Sequence, residues 1–209
     1  MKRQNNRIAQ IIQEMQPIME ERFRKSCKFF QEAVDNRANQ IWDDVKKAVN
    51  RVLQEAAVLQ KEEGKGELRY LCFSFMEYCS LLGRVEIRVD AFDSGFYLDE
   101  KEAAAEFILD FWQEQYLEDL HYLEREMEKT VIRVQNYERM EAGRVYMEYY
   151  NFAVFQMLQS MTGLVMEMVM ESDADIADRF IVTVGKYMDK ALILCEKRNK
   201  DEILFNGNG

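Results

Sequence analysis

Fifteen apolar side chains, from Ile8, Ile12, Met15, Met19, Phe23, Cys27 and Phe30 on to Val52, Ala56 and Leu59, follow one another in steps of three or four residues. Their mean spacing is close to the ~3.6 residues of an α-helical turn, which predicts one very long amphipathic helix at the front of the chain. A coiled coil would keep a repeat of ~3.5 residues over many heptads, so the stripe points to a nearly straight helix packed on its own domain. Pro17 lies off the stripe and the phase continues from Met15 to Met19 across it, which predicts a kink rather than a break. At ~1.5 Å per residue the helix would approach ~80 Å.

Gly64-Lys65-Gly66 ends the stripe, and the pattern changes. Val85, Ile87, Val89 and Ala91 alternate with Arg84, Glu86, Arg88 and Asp90, the period-two signature of a strand with one wet face. Asp93-Ser94-Gly95 is turn chemistry, and Phe96-Tyr97-Leu98 is expected to return as a short strand. Residues 68–80 are apolar on both parities and are read as a first strand hairpinned through Leu82-Gly83, although Leu68, Leu71, Phe75, Cys79 and Leu82 also fit a helix.

Asp99 with Glu102 three residues on has the capping-box spacing, and is expected to launch a second long helix with Leu109, Trp112, Tyr116, Leu120, Leu123, Met127, Val131 and Val134 on its apolar face. A turn at Gly143 is expected to separate it from the mostly apolar segment 145–170. Ser172 with Asp175 then caps a last helix facing inward through Ile176, Phe180, Val184, Met188 and Ala191 or Leu192. The fold class expected is therefore mainly α within α+β: the long kinked helix, a small antiparallel sheet of two or three strands, and a three-helix segment forming a bundle. It would occupy residues 1–205 as one domain with a β-hairpin insertion around 67–98, followed by a disordered tail at 206–209.

Composition agrees with helix. The 209 residues include one proline and nine glycines, and 48% are apolar, enough for a substantial core. Acids outnumber bases 38 to 28, for a net charge of −10. Residues 1–62 carry 12 basic and 9 acidic side chains, so the acidic surplus belongs to the remainder. Such a surface repels phosphate, which argues against nucleic acid. The basic cluster Arg22, Arg24, Lys25 and Lys28 is expected to pair with the acidic second helix. The basic start Met1-Lys2-Arg3 has no apolar run behind it, and the longest uncharged stretch, 149–166, is too polar to face lipid, so a cytoplasmic chain with no membrane span is expected. Cys27, Cys72, Cys79 and Cys195 form no C-x-x-C pair and are expected to be reduced residues of the core.

Chemistry-bearing patterns are few. Glu102, Glu106, Asp110, Glu114 and Glu118 stand at four-residue spacing, a solvated face or a docking strip for a basic partner, and they drift ~40° per step, too far to converge on one ion. Glu118-x-x-His121 has the spacing of carboxylate-bridged metal bundles, but His121 is the single histidine; Glu167 would complete a mononuclear site if the helices fold back. Glu138-x-x-Glu141 and Asp175-x-x-Asp178 have the one-turn spacing with which helical hydrolases hold magnesium, yet an intervening helix would part them by ~40 Å. No nucleophile elbow, Walker loop or dinucleotide fingerprint occurs. What remains is contact surface: Leu71, Phe73, Phe75 and Met76 would form an uncharged outer strand edge that pairs with a second copy or a partner strand. The function expected is a non-catalytic protein-binding or assembly protein, homo-oligomeric and without a cofactor. The alternative is a metal-dependent helical hydrolase or small-ligand-binding protein using the cluster around Glu118 and His121.

Overall fold

The computed structural model describes residues 2–198 and 202–205, apart from the side chains of 2–6, 33–40 and 111. The tail expected to be disordered, 206–209, lies outside the described residues. The long apolar stripe forms a 62-residue helix, α1 (Lys2–Glu63), unbroken through Pro17. Then follow β1 (Leu68–Phe75), the single-turn α2 (Glu77–Leu82), β2 (Glu86–Phe92), β3 (Ala104–Ile108), α3 (Asp110–Thr130), α4 (Asn136–Ser160), α5 (Thr162–Glu171), β4 (Ile176–Lys186), β5 (Ala191–Arg198) and β6 (Glu202–Phe205). By contact the chain divides into two units: 1–38, 78–85 and 108–154 make the first, and the remaining segments the second.

The expected small antiparallel sheet and three-helix bundle are both overturned. The second unit holds one six-stranded mixed sheet in the order β3-β2-β1-β4-β5-β6. β1 runs antiparallel to β2, with Cys72 opposite Asp90, and parallel to β4, with Cys72 opposite Thr183. β4 and β5, and β5 and β6, are antiparallel. The segment expected as the last helix supplies three of these strands. Ile176, Phe180, Val184 and Met188 are four apart, but between them Ile181-Val182-Thr183-Val184 is a β-branched run, which suits a pleated surface. A strand buried on both faces loses its alternation, and four-residue spacing is then no guide. Residues 180–184 are all buried.

Other expectations also shift. Asp99 caps no helix: Lys65, fully buried, donates to its carboxylate and to the carbonyl of Lys101 (2.6 Å), and the amides of Asp93 and Lys101 donate to it at 3.0 Å each. Glu102 pairs with Arg88 instead, and the helix starts at Asp110. Phe96–Leu98 is a 3₁₀ turn rather than a returning strand. The bend after α3 falls at residues 131–135, with Gly143 inside α4, and α4 breaks from α5 at Met161. In the second unit α5 lies against β4, and Gln60 of α1 ties two strand starts together: its amide donates to the carbonyls of Gly66 and Asp175 and accepts from the Asp175 amide, at 2.8–3.0 Å.

The first unit is helical and is organised around Asp119 of α3, which has no exposed side-chain surface. Five donors converge on that carboxylate: Arg22 Nε at 2.6 Å and Ser26 Oγ at 2.6 Å from α1, Gln115 Nε2 at 2.9 Å from α3, and the hydroxyls of Tyr146 at 2.6 Å and Tyr150 at 2.8 Å from α4. Charge-assisted bonds of this number satisfy a buried ion and fix the register of three helices. Burial first, and then the Asp119 charge, push both tyrosine hydroxyls well above their ordinary range. Aromatic rings complete the packing, with Phe30 stacked on Trp112 at 4.5 Å and Tyr116 edge-on to Tyr150 at 4.9 Å.

Candidate functional site

Glu118 and His121 both stand on the exposed side of α3, Glu118 with 73% of its side chain in solvent and 4.0 Å from Arg22. Glu167 is exposed on α5, in the other unit. Among the described residues, no three His, Cys, Asp or Glu side chains gather closely enough to hold a metal ion. The second carboxylate pattern dissolves as well. Glu138 is buried and accepts from Arg7 Nε at 2.6 Å and the Gln135 amide at 2.8 Å, Glu141 pairs with Arg144, and Asp178 lies on a strand. The hydrogen bond from Arg7 is the main cause holding the Glu138 carboxyl below its usual range.

The expected strand edge is closed. Leu71 and Phe73 are buried, Phe75 and Met76 half-buried, and β1 is hydrogen-bonded along both sides, to β2 and to β4. The apolar parity on both faces, read as an edge, marks a central strand. The outer strands of the sheet are β3 and β6, and in β6 Glu202, Ile203, Leu204 and Phe205 are all exposed.

One polar cluster lies on the β2 face that carries Arg88 and Asp90. Arg88 Nε donates to both Asp90 oxygens at 2.9 and 3.1 Å, its Nη atoms reach Glu102 and Glu106, and its guanidinium lies 5.4 Å from the Tyr187 ring. Burial holds Asp90 above the usual carboxylate range even beside Arg88. Across the sheet from Asp90, burial pushes the Cys72 thiol up to about 12, and it does the same to Cys195. A thiol so protonated is no nucleophile at neutral pH. With Arg88 spent on three carboxylates, the cluster reads as structural.

A different surface emerges where α2 meets α3 and α4 in the first unit. α2 is too short to stand alone, and Gln113 of α3 holds its end: Gln113 Oε1 accepts from the Val85 amide at 2.7 Å, and its amide nitrogen donates to the Gly83 carbonyl. Gly83, at φ +63°, makes the left-handed turn that ends α2, with Leu117 and Leu120 packed against it. Leu81 and Leu82 are thereby turned outward, 60% and 58% exposed. They border a groove of about 250 Å³ whose floor and walls are Leu120, Leu123 and Met127 of α3 and Met140, Ala142 and Gly143 of α4. Met140 is 45% exposed and the neighbouring Leu117 40%. Glu124, Asn136 and Arg139 make its polar rim, with Arg139 bonded to Glu128 at 2.8 Å.

The periodicity of α3 pointed to Leu120, Leu123 and Met127 as inward-facing, and they do line the groove. Leu82 is expected in a hairpin turn with Gly83 or at the end of a helix, and no expectation falls on Leu81. Their signal was the pair itself, since two adjacent leucines before a glycine are costly to leave in an ordinary exposed turn. The second unit also has a cleft of about 480 Å³ between α1 and the end of α5, but most of its lining is polar, including Asn50, Gln54, Lys61, Glu171 and Asp173. No single helix among the described residues is long and apolar enough to cross a membrane. No protein-family model matches the chain, and neither a curated protein nor a solved structure is detectably similar to it.

Proposed function

We propose that the chain is a non-catalytic protein-binding protein whose contact surface is the groove between α2, α3 and α4. The observation that carries this reading is the pair Leu81–Leu82, held outward at 60% and 58% exposure beside a groove of mixed lining, apolar at Leu120, Leu123, Met127 and Met140 and polar at Glu124, Asn136 and Arg139. Contiguous apolar surface of this kind costs solubility unless a partner covers it. The volume of about 250 Å³ falls below the ~300–1,000 Å³ common for small-molecule sites, and suits a few anchoring side chains from another protein. The walls are helices that offer no free backbone edge, so the fitting occupant is a helix laid in the groove rather than an added strand. All four cysteines are free and three are buried, which accords with work in a reducing compartment such as the cytoplasm.

The hydrolase alternative has less support, because Glu118 and His121 are solvated and the adjacent Asp119 is engaged with Arg22, Tyr146 and Tyr150. Calorimetry with a neutral amphipathic helical peptide, leucines on one face and glutamines on the other, tests the proposal. Burying a leucine is worth ~1.5–3 kcal/mol, so Leu81→Ser/Leu82→Ser should weaken binding by at least ~tenfold. Identical heats for the wild type and the double variant would remove the groove from consideration.

A further inference from the structure

Resting on that reading, we infer that the occupant of the groove is a cationic amphipathic helix from a partner protein, apolar face down on Leu81, Leu82 and Met140 and basic flank against α3. Charge selects this occupant: besides the buried Asp119, α3 holds six acids against Arg125 and Lys129. Leu120, Glu124 and Met127 line the groove and succeed one another in steps of three or four, and Leu117 continues the same stripe of the helix one turn earlier. Glu114, His121 and Glu128, seven residues apart, run beside it on the exposed side. Glu128 is occupied by Arg139, but among the described residues Glu114 and Glu124 have no ion-pair partner. Like-charge spacing on a helix carries a stability cost, which a cationic partner would relieve.

Of the five-acid strip, Glu114 is the member that runs beside the groove stripe. The strip's first two members belong elsewhere, since Glu102 and Glu106 bind Arg88, and its last three, Asp110, Glu114 and Glu118, are exposed along α3. A second copy of the chain fits poorly as occupant. Its net charge is −10, and its basic surplus lies in residues 1–62, where Arg7 and Arg22 are already bound to Glu138 and Asp119.

The test is fluorescence anisotropy with three labelled helical peptides of about 18 residues, long enough to be helical in water. They share a leucine face, and carry lysine, glutamine or glutamate on the other. The lysine peptide should bind at least ~tenfold more tightly than the glutamate peptide, and the difference should collapse near 1 M salt, where screening reaches ~3 Å. Glu114→Gln/Glu124→Gln should weaken the lysine peptide about threefold to tenfold and weaken the glutamine peptide by less, while an equal loss for both peptides would overturn the inference. Both sites are exposed, so circular dichroism should find the fold intact.

Equal binding of the lysine and glutamate peptides would overturn the inference while leaving the groove standing. Lysine-peptide binding that ignores Leu81→Ser/Leu82→Ser would also overturn it, as adsorption to an acidic surface. Failure of all three peptides would take the proposed function with it. A dilution-dependent dimer that the lysine peptide cannot dissociate would make a second copy the occupant and overturn the inference.

Discussion

Asp119 is the residue on which the first unit turns. Five donors from three helices end on one carboxylate with no exposed surface, so truncation strands Arg22, Ser26 and two tyrosine hydroxyls together. Asp119→Ala should cost ~3–5 kcal/mol in urea unfolding, the penalty for breaking a buried charged network. Tyr150→Phe, which removes one donor of five to a charged acceptor, should cost less, ~1.5–3 kcal/mol. Equal losses in the two variants would mean that packing, not the carboxylate, holds the helices. The sequence already suggested that Arg22 pairs with the acidic helix, and Arg22 does bond to Asp119. Lys25 instead pairs along its own helix with Glu21 at 2.8 Å. Asp119 itself was hidden by Glu118: adjacent acids lie ~100° apart on a helix, and the regular four-residue strip drew attention to the solvated one.

At the scale of elements, legibility followed one-sidedness. α1 buries one stripe, and β2 alternates half-buried and buried from Glu86 to Val89 before both faces are covered, so their periods of 3.6 and 2 stand out in the residues. β1 and β4 sit in the middle of the sheet, buried on both faces, and there the period vanishes: one was read as an edge, the other as a helix. β4 also contains Gly185, where an added Cβ would fall 2.5 Å from the Lys190 carbonyl oxygen and 2.7 Å from Ala191 Cα. Both are backbone atoms of the β4–β5 hairpin and cannot swing aside. Gly185→Ala should therefore destabilise by ~1–3 kcal/mol and speed amide exchange along β5, while unchanged exchange would refute the close approach.

The Lys65–Asp99 staple is a second element-scale device, invisible to periodicity because its partners are 34 residues apart. Burial alone would raise the Asp99 pKa, but Lys65 and the amides of Asp93 and Lys101 outweigh it and hold the carboxyl below its ordinary value. The folded chain then binds that proton less readily than the unfolded one, whose Asp titrates near ~4. The resulting stability is complete above ~pH 4 and drains as the pH falls through the lowered value. Acid titration of the thermal midpoint should accordingly fall more steeply for the wild type than for Asp99→Asn. Parallel curves would show that the staple contributes no linkage.

For the whole molecule, an acidic surplus was legible from composition. The groove was not, because it is assembled from a six-residue helix, a glycine turn and two distant helices that no local pattern joins. Its claim to function rests on apolar side chains held outward where an ordinary surface would be polar. Methyl NMR of the leucine, isoleucine and methionine side chains during titration with the neutral leucine-faced peptide tests that claim most directly. Saturable shifts centred on Leu81, Leu82, Leu120, Met127 and Met140 are expected. Shifts that leave those five untouched and fall on Ile203 and Leu204 of β6 would contradict it.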